Sequence, residues 1–178
     1  MKKVLLKGGE ELLFRKATEE DAQRMANFKQ CICKETDFLS FGENEIEITA
    51  ETERETIRSE NSKDNSVIFI AVVNEAIAGF VTFKGGSRIR KRHAGELGIS
   101  VRKQYWGLGI GNLLMQELIE WAKATRDIKK INLITRIDNE AALRLYKKYG
   151  FQEEGVLTRD LYIGGHFYDA VMMGLSIH

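Results

Sequence analysis

The sequence predicts an α/β domain, layered in the α+β manner, with a mixed central sheet of about six or seven strands flanked by helices. Three stretches carry that prediction. Residues 96–112 read as a strand, a glycine-rich turn and the start of a long helix. Val67 to Val73 and Ile77 to Phe83 are two β-branched, apolar runs around the turn Asn74-Glu75-Ala76, which reads as a hairpin covered on both faces. After the glycine turn, Leu114, Met115, Leu118, Ile119 and Ala122 fall at helical spacing and are followed by the period-two run Ile131 to Ile137. A crossover of this length returns the chain parallel to the strand it left.

The remaining elements follow in order. Glu11 to Lys16 is a candidate strand, and Thr18-Glu19-Glu20-Asp21 reads as a helix start with acids in its first turn, continued by Ala22, Met25, Ala26 and Phe28. Glu35 to Gly42 is a loop that mixes acids with aromatics. Thr49 with Glu51 to Arg58 predicts a second, charged helix, and Asn61 to Asn65 a polar turn. Between the hairpin and the 94–101 strand lies Arg88-Ile89-Arg90-Lys91-Arg92-His93, either a solvated hairpin tip or an anion site. Asp138-Asn139 caps a further helix that Gly150 ends, and the tail from Gly155 to Leu175 forms two strands around Gly164-Gly165.

Length and composition narrow the function classes. A chain of 178 residues fits one domain spanning 1–178, and 27 Lys+Arg against 26 Asp+Glu exert no global pull on nucleic acid or an anionic membrane. No apolar run approaches the roughly 18 residues of a membrane span. Met1 to Lys7 is too short and too soon interrupted for a signal peptide, which predicts a cytoplasmic protein. Cys31 and Cys33 stand too close for an easy disulfide and lack the neighbours of a zinc site, so they read as free thiols and no metal is expected.

The chemistry concentrates in the glycine turn. A helix N-terminus offers unpaired N–H groups and about half a positive charge, and Gly107, Gly109 and Gly111 let a ligand approach that backbone closely. A pyrophosphate is the expected ligand. A Walker loop is excluded, because Ile110, Gly111 and Asn112 supply neither the phosphate lysine nor the magnesium hydroxyl. The spacing also departs from the dinucleotide pattern G-x-G-x-x-G.

The stretch closely resembles motif A of the GNAT superfamily of acetyl-CoA-dependent N-acetyltransferases, V-x-x-x-x-Q/R-x-x-G-x-G/A, here Val101, Trp106, Gly109, Ile110 and Gly111. Trp106 stands where that pattern has Gln or Arg. A second family motif, N-x-x-A-x-x-L-Y-x-K-x-G-F, is matched by residues 138–151, so the resemblance covers residues 96 to 151. It implies a single GNAT-like domain in which two parallel strands splay to admit acetyl-CoA as co-substrate. The implied cofactor contacts are Ile99, Ser100, Val101, Trp106, Gly107, Leu108, Gly109, Ile110, Gly111, Asn112, Asn139 and Tyr146. Tyr146 matches the tyrosine that protonates the departing thiolate, and Glu96 stands where family members carry a general base.

The same resemblance places Glu35, Asp37, Phe38 and Phe41 beside the acceptor, and Asp169 with Tyr168 resembles the Tyr-x-Asp region of the ribosomal-protein and antibiotic branches. The implied activity is direct, ternary-complex transfer of an acetyl group to a primary amine, a small molecule or a protein N-terminus. The alternative is a non-catalytic acyl-CoA-binding module. An acidic pocket of Glu35, Asp37 and Asp169 would favour a polycationic acceptor, whereas an open groove would favour a peptide. Neither nucleic acid nor membrane is an expected partner, and the C-terminal hairpin offers a surface for a homodimer.

Overall fold

The computed structural model describes residues 1–6 and 8–178. These residues form eight strands and four α-helices: β1 (Lys2–Leu5), β2 (Glu11–Lys16), α1 (Ala22–Glu35), α2 (Ala50–Asn61), β3 (Ser66–Val73), β4 (Ala76–Gly85), β5 (Ala94–Val101), α3 (Ile110–Thr125), β6 (Lys130–Arg136), α4 (Glu140–Lys148), β7 (Gln152–Ile163) and β8 (His166–Ser176). All eight strands join one sheet in the order β1-β2-β3-β4-β5-β6-β8-β7. Among the described residues only the β5–β6 pair is parallel. The sheet exceeds the expected six or seven strands by β1, whose Lys2-Lys3 start has no apolar alternation. What holds β1 is its ladder to β2, from Lys2↔Phe14 to Leu5↔Glu11.

Each face of the sheet buries a different helix pair. Met25, Phe28 and Ile32 of α1 and Ile57 of α2 pack on Ile68, Ile70, Val72 and Ile77. On the other face Leu114, Met115, Leu118 and Ala122 of α3 pack with Tyr146 of α4 and Phe151 against Val81, Phe83, Leu97, Ile131 and Leu133. Each fully buried large side chain contributes about 1.5–3 kcal/mol relative to exposure. Helices α1 and α2 make their main sheet contacts on β3 and β4, leaving parts of β5, β6 and β8 exposed on that face. Glu96 and Gly98 are exposed there, and the cross-strand pair Ile134 and Met172 remains 48% and 37% exposed.

Local chemistry sets the element ends. Residues 19–21 make a 3-10 turn before α1, in place of a continuous helix from Thr18. Asp21 is buried there, and desolvation pushes its carboxyl up. The Arg15 guanidinium at 2.6 and 2.7 Å and the Thr18 N–H at 2.9 Å more than offset this and hold it below the usual carboxylate range. At the far edge β7 is exposed along most of its length, and its pairing with β8 breaks register between Glu153 and Gly155 and again between Leu157 and Leu161.

The parallel pair is short, running from Ala94↔Lys130 to Glu96↔Asn132. Gly95 sits within it, and a Cβ there would lie 2.4 Å from the Lys84 carbonyl oxygen and 2.4 Å from Phe83 Cζ. The Gly95→Ala variant is expected to lose about 1–3 kcal/mol. At roughly 2–4 °C per kcal/mol for a chain of this size, thermal unfolding reads that as a drop of several degrees. An unchanged midpoint would mean that the base of the parallel pair is not tightly packed.

Candidate active site

Beyond Glu96 the two parallel strands part. Strand β5 stays paired with β4 all the way to Gly79↔Val101, and β6 stays paired with β8 to Arg136↔Ala170, yet no ladder joins residues 97–101 to β6. This gives the expected splay a concrete form: about 16 Å of strand edge with backbone groups facing a gap. An unpaired edge is a template for another extended chain. The β4–β5 ladder carries no bulge, so the register of Glu96 opposite Lys84 is fixed and places Glu96 on the part of the sheet face that α1 and α2 leave exposed.

The gap leads into the glycine turn. Gly107 and Gly109 adopt φ of +77° and +89°, conformations that L side chains rarely take, and a Cβ at either would meet nothing within 4 Å. The first helical bond of α3 runs from Leu113 N–H to the Gly109 carbonyl, at 3.1 Å. The N–H groups of Ile110, Gly111 and Asn112 therefore have no intrahelical acceptor. No acidic residue occupies the first turn of α3. Trp106 is 53% exposed, and its indole N–H donates to the Val101 carbonyl at 2.7 Å. Its side chain bridges the turn back to β5.

Helix α4 forms the other shoulder. Lys148 Nζ donates to Asn112 Oδ1, and the Tyr149 hydroxyl donates to the Asn112 carbonyl at 2.8 Å, tying the end of α4 to the start of α3. Asn139 caps α4, its Oδ1 accepting from Ala142 N–H at 3.3 Å. Tyr146 is buried beside Phe151, with ring centroids 5.8 Å apart, and its hydroxyl finds no protein hydrogen-bond partner among the described residues. Burial pushes its phenol up to about 12. The group is a neutral donor at any physiological pH. Tyr146 lies on the α3/α4 face and Glu96 on the opposite one, so the gap between β5 and β6 separates an acid from a carboxylate.

The acids named for acceptor contact are each engaged within the protein. Glu35 accepts from Arg102 Nε at 2.7 Å and from Lys103 N–H at 2.7 Å, anchoring the end of α1 to the chain entering the glycine turn. Asp37 accepts from Arg136 Nη1 at 3.1 Å. Asp169 accepts from Arg159 N–H at 2.8 Å, where Arg159 takes φ of +55° within the second β7–β8 register break. Phe38 stacks on the Arg136 guanidinium, 4.7 Å from its ring centroid, and Phe41 is half-buried in the same loop. Each of these acids thus already holds a partner within the protein, Asp37 while its side chain remains 56% exposed.

Arg136 itself had no signal beyond its place in a strand; the contacts that single it out come from Asp37, 99 residues away, and from Tyr168. The basic 88–93 loop lies at the start of β5 and the glycine turn at its end, about 26 Å apart along one strand, so the loop does not border the cradle. Cys33 is pushed up by burial, unlike an activated nucleophile. Among the described residues no cluster of His, Cys, Asp and Glu could hold a metal ion, and no helix is long and apolar enough to cross a membrane.

The profile of the acetyltransferase (GNAT) family matches residues 34–151. The chain is 31% identical over 104 residues to the L-amino acid N-acetyltransferase AaaT of Escherichia coli, a match covering 58% of this chain and 64% of that one. It is 38% identical to a crystal structure of a GNAT-family acetyltransferase from Streptococcus pneumoniae, with a TM-score of 0.90 over 94% of this chain and 99% of that one. The yncA protein of Salmonella typhimurium, solved with its cofactor acetyl-CoA, shares the fold at a TM-score of 0.82 and 17% identity over 94% of each chain. Splayed parallel strands, a glycine turn opening α3 and this breadth of similarity lead to one conclusion: the chain belongs to the acetyltransferase (GNAT) family.

Proposed function

We propose that residues 1–178 act as one cytoplasmic N-acetyltransferase unit that moves an acetyl group from acetyl-CoA to a primary amine. The observation that carries this reading is the free edge of β5 at residues 97–101, which runs directly into the unpaired N–H groups of Ile110 to Asn112. A pantetheine arm is an extended chain with two amides, which suits an open strand edge. Its pyrophosphate suits a helix N-terminus without acids. Acetyl-CoA supplies an activated thioester, and the protein supplies positions and protons.

In this reading backbone N–H groups near Ile99 to Val101 hold the arm, and those from Gly107 to Asn112 hold the phosphates. Asn139 contacts the arm from the β6 side, where its NH2 group has no protein partner among the described residues. The amine nitrogen attacks the thioester carbonyl, and the C–S bond breaks. Glu96 takes the amine proton, directly or through water, and the Tyr146 hydroxyl gives its proton to the thiolate. The two side chains lie on opposite faces of the sheet, so entry of the amine and departure of the thiol need not compete for space.

The acceptor side supports a finer reading. Glu35, Asp37 and Asp169 each hold a partner within the protein, while Glu96, Gly98, Ile134 and Met172 form an open floor whose one carboxylate has no partner among the described residues. Such a floor suits a single ammonium on an extended, weakly charged chain, as at a protein N-terminus, better than a polyamine.

Thermal unfolding with and without acetyl-CoA tests the cofactor site. At a hundredfold excess over the dissociation constant, binding adds about 2.7 kcal/mol, a rise of several degrees. Gly109→Glu is expected to abolish that rise. Gly109→Ala, strained by roughly 1–2 kcal/mol at the same φ, should retain part of it. No rise in the wild type at millimolar acetyl-CoA would remove the basis for transfer.

Thiol release across a panel of a free amino acid, an alanine-initiated peptide and spermidine then tests catalysis. Tyr146→Phe is expected to lower kcat roughly 10²-fold or more with a much smaller loss of acetyl-CoA affinity, and Glu96→Gln to lower kcat on a similar scale. Because the Tyr146 phenol titrates near 12 rather than 10, its protonated form persists through the range in which amines deprotonate. The rate should therefore climb with pH to a plateau, with no fall from tyrosine ionisation below about pH 11. Acetyl-CoA binding without turnover of any amine would reassign the chain to an acyl-CoA-binding module.

A further inference from the structure

Arg136 is the most completely enclosed cation described in the chain, 4% exposed, and acetyl transfer as derived above makes no use of it. Its Nε and Nη2 fork onto Asp138 at 2.9 and 2.6 Å. Its Nη1 donates to the Asp37 carboxylate at 3.1 Å and to the Asp37 carbonyl at 3.2 Å. The guanidinium also lies against two aromatic rings, 3.7 Å from the centroid of Tyr168 and 4.7 Å from that of Phe38. These contacts join three separate pieces of chain. Arg136 ends β6, one arm of the gap; Tyr168 belongs to β8; Asp37 and Phe38 open the 36–49 segment between α1 and α2.

That segment has few other holds. Gln30 Nε2 donates to the Ile48 carbonyl at 2.9 Å near its end, Leu39 packs on the α1/α2 core, and Lys34 pairs with Glu43 at 3.3 Å on the surface. All of these tie it to its own side of the molecule. Among the described residues, Arg136 makes every hydrogen bond and ion pair that joins the segment to β6.

We propose that Arg136 is a positioning residue: it latches the 36–49 segment onto the β6 arm, so that the wall beside the open floor is set before an amine arrives. A buried guanidinium suits this task because its planar fork and two faces bind four groups at fixed angles, which a flexible ammonium cannot do. The latch stands on geometry alone. Only the identity of what the segment borders rests on the acetyl-transfer reading.

Limited digestion with a Glu-specific endoproteinase tests the latch without any acceptor, because Glu43, Glu45 and Glu47 lie within the segment and fragment masses report the cut site. In Arg136→Gln, cleavage at these residues is expected to accelerate at least tenfold, and Arg136→Lys should recover part of the protection. Asp37→Asn and Phe38→Leu should each accelerate it several-fold. Both sit on the surface, so they decide the matter if Arg136→Gln fails to fold. Lys34→Ala, which removes a hold outside the latch, should leave the rate close to wild type.

Wild-type cleavage rates in Asp37→Asn and Phe38→Leu, or an acceleration in Lys34→Ala as large as theirs, would overturn the latch. The acetyl-CoA-dependent rise in unfolding temperature should be retained in Asp37→Asn and Phe38→Leu. Its absence from the wild type would instead count against the transfer reading and leave the latch to be judged by cleavage.

Discussion

Backbone pairing that stops at Glu96 is the constraint on which the remaining structure depends. A sheet normally satisfies its peptide groups strand by strand, and an unpaired edge inside a domain leaves donors and acceptors without partners. Here residues 97–101 of β5 have a strand partner on one side only, while both strands remain anchored on their outer sides by β4 and β8. The gap therefore cannot close by a simple slip. Moving β5 toward β6 would break the β4 ladder, and a one-residue shift would turn Leu97 out of the core.

The neighbouring contacts tie down the two banks of that gap. Glu35 binds Arg102 and the Lys103 N–H, so the chain enters the glycine turn from a fixed point at the end of α1. Tyr149 and Lys148 reach back to Asn112, so α4 cannot move without α3. Trp106 closes the turn on Val101. A helix N-terminus binds an anion well only if its N–H groups are held in place beforehand, and these contacts supply that preorganisation.

Much of this was legible in the sequence because it is local. The alternation in residues 67–83, the helical spacing of Leu114 to Ala122 and the glycines at 107, 109 and 111 each state a backbone geometry within a few residues. The free thiols and the hairpin at Gly164-Gly165 are of the same kind. Long-range relations were not legible. Glu35 reads as a loop acid until Arg102 is beside it, and Arg136 reads as the end of a strand until Asp37 and Tyr168 enclose it. Strand β1 escaped because its cause is a partner strand and not its own pattern. The acids near the acceptor side were visible as residues, but whether they were free to meet a substrate depended on donors placed by the fold, guanidinium groups for Glu35 and Asp37 and a backbone N–H for Asp169.

The two register breaks in β7 act against the sheet's tendency to grow. A twelve-residue edge strand exposed along most of its length would ordinarily recruit strands from other molecules. In β7 no long run of regular pairing survives between Glu153 and Leu161, and Glu153, Glu154, Arg159 and Asp160 place charge on the exposed backbone rail. Fibril-like stacking requires flat, uniform, weakly charged segments. The irregular, charged edge is therefore a poor template for strands of other molecules, which favours recovery of the chain from denaturant at high concentration.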